Sequence, residues 1–195
     1  MKNDGFEQAD ALRILDLLED DGHHAHVYTV QDVYCNRDDD ALRAYERVCG
    51  VKARIVRGER LSARVKREGM RVVKILAMVE PDARRPLMEK LKKALGDGFY
   101  VTTSSDFLVE VMPAGQSKAA AVDFLSEYYH VPRAEIAAIG DQLNDVPMVA
   151  RAGGRFAVGN AEPELKAIAR VVSSVEEDGV AEALQIAAAE WNAAA

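Results

Sequence analysis

Apolar and polar positions along this chain follow one pattern before about residue 113 and another after it. Before that point, apolar residues recur at helical spacing, as at Leu12, Leu15 and Leu18, between segments that alternate in β fashion. Gly and Pro residues separate these segments. The pattern predicts helices within residues 9–22, 38–50, 59–69 and 81–96, and strands within 24–36, 53–58, 70–79, 98–105 and 106–113.

After residue 113, short apolar strands alternate strictly with helices. The predicted helices lie within residues 117–131, 144–153, 162–169 and 178–191, and the strands within 135–140, 155–160 and 170–174. Apolar strands separated by helices are typical of a parallel sheet that is covered on both faces. We therefore predict an α/β protein in two parts. Residues 1–113 form a mixed α/β unit, and residues 114–195 form half of a doubly wound parallel-sheet domain.

Composition and charge place the chain among ordinary globular proteins. Of the 195 residues, 49% are hydrophobic and 29% are charged. The net charge of −7, without a block of Lys and Arg, argues against nucleic-acid binding. No apolar run reaches membrane-spanning length, so no membrane partner is expected. Two cysteines without spaced partners suggest a reducing compartment, and the expected location is cytoplasmic.

An acidic turn follows one of the predicted strands of the second part. Asp141 comes directly after the apolar strand 136–139, where ligands of open parallel sheets bind, and Gly140 lets the backbone turn tightly. Asn144 and Asp145 begin the next helix, whose N-terminal amides favour anions. Mg²⁺ prefers oxygen ligands and retains several waters, so one or two carboxylates and a phosphate can complete its shell. The same residues also suit a plain helix cap, and these positions alone leave both interpretations open.

Lys118 opens the helix that precedes this turn. A cation in the first helical turn is slightly unfavourable against the helix dipole, which suggests attraction to an external anion. A solvated lysine is the commoner explanation in any single case. The helix that follows Lys118 and the strand that precedes Asp141 run in opposite directions, so both residues can lie at the carboxyl-terminal edge of the sheet. The spacing permits a shared site without requiring one.

Four segments occur in an order and at intervals that resemble the C-terminal half of Cof-type phosphatases of the haloacid dehalogenase-like superfamily. They are GQSKAAAV, IAAIGDQLNDVPMVARAG, FAVGNAEPELKAIA and SVEEDGVAEAL. The order of strands and helices over residues 10–113, with VVKI and FLVEVMP, looks like the α/β cap of those enzymes. The resemblance covers almost the whole chain. It implies an incomplete Rossmann-like core, with a parallel sheet, and a substrate-selecting α/β cap.

The resemblance also implies a role for each residue of the candidate site. Lys118 matches the lysine that contacts the transferring phosphoryl group and steadies the nucleophile. Asp141 matches the carboxylate that binds Mg²⁺, and Asn144 matches the residue near the phosphate. Asp145 matches the acidic partner that positions the lysine. These roles agree with the general requirement that cations spread the charge of an in-line phosphoryl displacement.

The nucleophile motif of this family, Asp-x-Asp-Gly-Thr, is missing from the sequence. KNDG near the N-terminus has one Asp, no preceding apolar strand and no Thr. Asp38 and Asp40 are spaced as Asp-x-Asp but open a predicted helix, and we expect them to cap it. The chain is thus expected to lack an N-terminal core segment and to be inactive, or nearly so, alone. The strand 136–139 would then have a bare edge, which a partner chain or a second copy could cover.

A few further residues invite interpretation without supporting a site. His23, His24 and His26 lie close together, and His24 and His26 would share a strand face. Metal binding needs more ligands than the sequence identifies, so we expect structural histidines. Three tyrosines could line a substrate pocket, but packing is expected for each: Tyr28, Tyr34 and Tyr45.

Two hypotheses from different classes follow. The first is a Mg²⁺-dependent, Cof-type phosphohydrolase chain that acts on small phosphorylated metabolites and forms an aspartyl-phosphate when complete. The second is a non-catalytic binding or regulatory protein derived from the same fold. An upstream Asp-x-Asp-Gly-Thr segment, or its absence, distinguishes them.

Overall fold

The structure is a computed structural model that describes residues 5–194. KNDG, which we judged not to be the nucleophile motif, lies outside the described residues except for its glycine. The described chain divides into two compact units, one up to Ala114 and one from Gly115 onwards. They are called unit 1 and unit 2 below and are described separately.

Unit 1 contains a six-stranded mixed sheet and four helices. The helices are α1 (Gln8–Asp20), α2 (Asp40–Cys49), α3 (Leu61–Glu68) and α4 (Pro81–Leu95). The strands are β1 (His24–Tyr28), β2 (Val33–Cys35), β3 (Ala53–Ile55), β4 (Lys74–Met78), β5 (Phe99–Ser105) and β6 (Leu108–Pro113). In the sheet they lie in the order β3-β2-β1-β4-β6-β5, and only β2 and β3 pair in parallel.

The two faces of this sheet differ in polarity. Alternation along β1 sends Ala25 and Val27 to one face, and His24 and His26 to the other, and all four are buried. Helix α2 covers part of the second face, where Tyr45 packs against the buried Leu76. One face therefore carries the apolar core, and the other holds polar side chains beneath helix α2.

Helix α2 lies where the sequence predicts it, but its N-cap residue differs from the ones we expected. Its N-cap is Asp39, whose side chain accepts a hydrogen bond from the backbone N–H of Leu42 at 2.9 Å. Asp38 instead forms ion pairs with Arg43 and Arg57. The capping residue of the Asp run is thus the one between the two we named, and Gly50 ends the helix with a left-handed φ of 65°.

Unit 2 contains a three-stranded parallel sheet and four helices. Its helices are α5 (Lys118–Tyr129), α6 (Val146–Arg151), α7 (Pro163–Lys166) and α8 (Gly179–Ala194), and its strands are β7 (Ala137–Gly140), β8 (Gly154–Ala157) and β9 (Arg170–Val171). The strand order is β7-β8-β9, all parallel. A core cluster joins residues of both longer strands and of α6, α7 and α8, including Val149, Phe156 and Leu165.

The third strand of unit 2 departs from the pattern expected of a buried parallel strand. We expected RVVSS to be a covered apolar strand, but β9 is two residues long and both are exposed. It lies at one edge of the sheet, and β7 lies at the other edge of the described strands. In the described part of the chain, no helix is both long enough and apolar enough to cross a membrane.

Candidate functional site

Lys118 lies at the first position of α5 and its side chain is half exposed. The hydroxyl of Ser117 caps the helix by accepting a hydrogen bond from the backbone N–H of Ala120 at 3.4 Å. The Lys118 amine donates a hydrogen bond to a carboxylate oxygen of Asp145. This contact brings a cation from the start of one helix to the acidic turn that follows β7.

Asp145 is the most buried charged group of the turn, with a side chain 3% exposed. One carboxylate oxygen accepts from Lys118, and the other accepts from the backbone N–H groups of Asp141 at 3.0 Å and Gln142 at 3.2 Å. A buried carboxylate requires partners of this kind, because desolvation penalises an unpaired charge. Asp145 therefore caps the turn, which is one of the two interpretations left open by the sequence, and it also holds the lysine. The other interpretation, a metal site, stays a prediction.

Gly140 is what lets the Asp145 side chain fold back over the end of β7. A Cβ atom at residue 140 would lie 2.4 Å from the Cβ of Asp145 and 2.7 Å from its Oδ2. Such distances are impossible without moving the carboxylate off its two backbone donors. The requirement for glycine here is therefore steric.

Asp141 is next to this ion pair and is partly buried. Its pKa is raised above the ordinary value, first because burial disfavours the charged form and second because the Asp145 carboxylate is close. The Lys118 amine acts in the opposite direction. The site thus contains two neighbouring carboxylates with one amine, an arrangement in which an additional cation would relieve the repulsion.

Asn144 supplies a further oxygen in the same turn. The residue is 9% exposed, and none of the described residues donates a hydrogen bond to its buried Oδ1 atom. A buried polar atom without a protein partner is a place where water or an ion is expected. Carboxylate and amide oxygens are ligands of Mg²⁺, so the oxygen donors of Asp141 and Asn144 fit that ion.

The structure therefore brings together the residues that the sequence singled out. Lys118, Asp141 and Asp145 interact directly, and Asn144 lies in the same short turn, Leu143–Asp145. All four lie in unit 2, at the carboxyl end of β7 and the start of α5. Their roles in catalysis and metal binding stay predictions.

Unit 1 has a separate cavity of about 770 Å³ on the polar face of its sheet. Tyr45 lines it, and its hydroxyl is hydrogen-bonded to that of Tyr28. Lys74 and Glu110 face each other across β4 and β6 with their charged atoms 3.1 Å apart, and the Ser104 hydroxyl donates to Glu110 at 2.9 Å. This charged pair was not predicted from the sequence. Its signal was a single charged residue within each of two otherwise apolar strands, VVKILAM and FLVEVMP.

Comparisons with known proteins give a consistent result. Residues 1–184 match the family described as haloacid dehalogenase-like hydrolase. A phosphoglycolate phosphatase from Pyrobaculum aerophilum is 43% identical over 89 residues, which is 46% of this chain and 38% of that protein. An HMP-PP phosphatase from Cronobacter sakazakii is 32% identical over 142 residues, which is 73% of this chain and 50% of that protein. The chain thus matches at most half the length of these two relatives.

A solved structure of similar fold is a haloacid dehalogenase-like hydrolase from B. subtilis. Its TM-score is 0.81 at 22% identity, and the match covers 93% of this chain and 71% of that chain. At this level of identity the likeness concerns the fold, and it confirms the predicted Rossmann-like α/β architecture.

Proposed function

The chain belongs to the haloacid dehalogenase-like hydrolase family, and on that basis we propose that it is part of a Mg²⁺-dependent phosphatase of the Cof type. Its substrates are small phosphorylated metabolites. Residues 114–195 are the C-terminal half of the core, and residues 1–113 are the substrate-selecting cap. The observation that carries the proposal is the contact of the Lys118 amine with the buried Asp145 carboxylate, beside Asp141 at the end of β7.

Each residue of the candidate site has a physical task in this proposal. Lys118 contacts the transferring phosphoryl group and neutralises part of its charge. Asp145 fixes the direction of the amine, because its carboxylate is itself held by two backbone N–H groups. Asn144 presents its amide to a phosphate oxygen. These groups favour an in-line displacement because they are positioned, before the reaction begins, around the phosphoryl group on which negative charge develops.

The Asp141 carboxylate would hold Mg²⁺, and the side-chain oxygen of Asn144 in the same turn is a further oxygen ligand that suits this ion. The raised pKa of its carboxyl is consistent with a place for a cation, since the close Asp145 carboxylate contributes to that shift. When bound, Mg²⁺ supplies further positive charge to the phosphoryl oxygens. The residues of this chain orient the substrate around it.

The names of the relatives support the substrate class. Both curated relatives described above are named as phosphatases of small phosphorylated compounds. We extend that class to this chain, and the hypothesis of a non-catalytic protein is not favoured by these relatives.

The covalent route needs a nucleophile. The family motif that would supply it, Asp-x-Asp-Gly-Thr, does not occur in these 195 residues. We propose that they do not hydrolyse phosphate esters without an Asp-x-Asp-Gly-Thr segment. The experiment measures phosphate release by the purified chain, alone and with that segment supplied from a family member, with and without Mg²⁺. Turnover is expected only with the segment and Mg²⁺. Robust Mg²⁺-dependent turnover by the chain alone would show that another nucleophile exists.

The role of Lys118 is tested in the active combination. Lys118→Met is expected to lower turnover by about a hundredfold or more, because it removes a charge aimed at the transferring group. Lys166→Met is the matched control, since it removes the other lysine of unit 2. Equal activity of the two variants would remove Lys118 from the mechanism.

We further propose that the cavity of unit 1 contributes to substrate selection. Lys74 and Glu110 are among the polar groups that a metabolite would meet there. In the active combination, Lys74→Met should change the ranking of a panel of phosphorylated metabolites by kcat/KM, whereas the exposed Lys92→Met should not. An unchanged ranking in both variants would rule out this role.

The edge of β7 is proposed to pair with an additional strand, from a partner chain or a second copy. Among the described residues, β7 pairs with β8 alone, and unpaired strand edges invite such pairing. Light scattering should show a particle larger than one chain. A monomer whose β7 amides exchange quickly with solvent would contradict this.

A further inference from the structure

Two histidines and a cysteine of unit 1 are buried together on the polar face of its sheet. In the antiparallel pairing of β1 with β2, His26 lies opposite Cys35, and His24 lies two residues along the same face. His24 is 4% exposed, and His26 and Cys35 are fully buried. One ligand atom from each residue lies within 4.8 Å of the other two. The strand register thus collects two imidazoles and a thiol in one place.

The two imidazole rings are held in a defined arrangement. Their Nε2 atoms lie 3.1 Å apart, and the Nδ1 atom of His24 lies 3.3 Å from a carboxylate oxygen of Asp39. Asp39 is itself fixed as the cap of α2. With the Nδ1 proton directed at this carboxylate, the Nε2 lone pair of His24 faces His26. A carboxylate that orients a ligating histidine in this way is common around bound metals.

Hydrogen bonding within the cluster does not satisfy every buried atom. The contact between the rings uses one nitrogen of each, and no described residue is a partner for the buried Nδ1 atom of His26. The Cys35 thiol donates to the carbonyl oxygen of Arg37 at 3.2 Å. The two Nε2 atoms and the thiol are thus held only by contacts that an incoming ion could replace.

We propose that His24, His26 and Cys35 form a zinc-binding site in unit 1. Imidazole and thiolate are preferred ligands of Zn²⁺, and they differ from the oxygen ligands that suit Mg²⁺. Tetrahedral coordination at normal bond lengths separates such ligand atoms by roughly 3.3 to 3.6 Å. The two ring nitrogens are already near that spacing, and the most distant pair closes by about 1 Å on binding. Formation of the Zn–S bond releases the Cys35 proton to solvent.

His24 lines the cavity of unit 1, which gives the cluster access to solvent for a fourth ligand. Water from that cavity completes the tetrahedron. The ion would fasten β1 to β2, a strand of three residues that otherwise depends on its pairing with β1 and β3. It would therefore stabilise the sheet, and the site is independent of the proposed phosphatase chemistry in unit 2.

The experiment uses the purified 195-residue chain after removal of metals with a chelator. Titration with Co²⁺, a spectroscopic substitute for Zn²⁺, should reach saturation at one equivalent and give a thiolate-to-cobalt absorption band in the near ultraviolet. Cys35→Ser should abolish that band and weaken binding by about tenfold or more. Cys49→Ser is the matched control, because Cys49 is the other free cysteine and is exposed. It should leave the band and the affinity unchanged.

A second measurement avoids variants that fail to fold. Zinc-edge X-ray absorption of the Zn²⁺-loaded wild-type chain should show one sulfur at about 2.3 Å and two imidazole nitrogens at about 2.0 to 2.1 Å. The proposal is overturned if the wild-type chain binds no stoichiometric metal, if Cys35→Ser keeps the cobalt band, or if the zinc spectrum contains no sulfur.

Discussion

The two units stabilise their buried polar side chains in opposite ways. In unit 2, the carboxylate of Asp145 is buried beside a lysine and accepts two backbone hydrogen bonds. In unit 1, His24, His26 and Cys35 are buried as a cluster of side chains that contact one another. The difference follows from position in the sheet. Backbone N–H groups just beyond the end of β7 are free to bind a carboxylate, whereas those along β1 are used by its neighbours on both sides.

This contrast explains which chemistry each place can support. A carboxylate can stay charged while buried at the end of a parallel strand, because the turn supplies backbone N–H groups that point at it. In the middle of a sheet face no such backbone donors are available, so buried polar groups there are neutral, as in the cluster, or take side-chain partners, as Glu110 does with Lys74 and Ser104. The side chains of the two places would therefore suit different ions, hard cations with oxygen ligands in one and borderline-soft cations with nitrogen and sulfur ligands in the other.

The largest expected effect comes from filling the space above Gly140. Gly140→Ala should lower the free energy of unfolding of unit 2 by about 3 kcal/mol, because the added methyl overlaps the Asp145 side chain. Urea unfolding followed by the fluorescence of Trp191, the single tryptophan, measures this in unit 2. Gly98→Ala is the control, since a Cβ there meets nothing within 4 Å. Equal midpoints for both variants would contradict the fold-back of Asp145.

A somewhat smaller effect is expected from removing the carboxylate itself. Asp145→Ala leaves two backbone donors and the Lys118 amine without their acceptor, at a cost of about 2 kcal/mol. Asp123→Ala removes a carboxylate that forms ion pairs with two partly exposed arginines of the same unit, and should cost less than about 1 kcal/mol. The same Trp191 measurement compares them. A larger loss of unfolding free energy in Asp123→Ala than in Asp145→Ala would contradict the stabilising role of the backbone hydrogen bonds to Asp145.

The smallest effect depends on pH and concerns unit 1. Burial lowers the pKa of His26 to about 3, below its ordinary 6.5, and also lowers the pKa of His24. Between those values the unfolded chain binds more protons than the folded one, so the stability of unit 1 falls as the pH drops below 6.5. From pH 6.5 to pH 5, His26 should account for about 1.5 kcal/mol.

Peptide-resolved hydrogen exchange of β1, in the presence of a chelator, measures that loss separately from unit 2. His26→Gln should weaken the pH dependence, because glutamine does not titrate whereas His24 still does. Lys92→Gln, an exposed change in the same unit, should leave it unchanged. A wild-type chain whose β1 protection is constant over this pH range would contradict the burial of a neutral His26.

Much of the architecture followed from local pattern. The apolar runs of β4 and β6 and the glycines after α1, α2 and α3 placed these elements close to where the structure has them. The acidic turn after β7 was recognisable because Gly140 and Asp141 directly follow an apolar strand. Family membership was recognisable from four motifs in order, and the comparisons confirm it.

Other features were not recognisable because they depend on which strands become neighbours. Cys35 joins the histidines only through the register of β2 on β1, and Lys74 meets Glu110 only because β4 pairs with β6. The exposure of β9 likewise reflects its place at the sheet edge, which its apolar sequence does not reveal.

The sequence by itself determined the order of elements and the identity of the turn residues, because helix periodicity, strand alternation and glycine conformation are local properties of the chain. The tertiary structure alone decided that the Asp145 carboxylate also accepts from both backbone N–H groups of the turn, and that the side chains of His24, His26 and Cys35 meet in unit 1. Contacts between residues distant in sequence are set by strand pairing and close packing. Those interactions form between segments, so the pattern of any one segment does not reveal them.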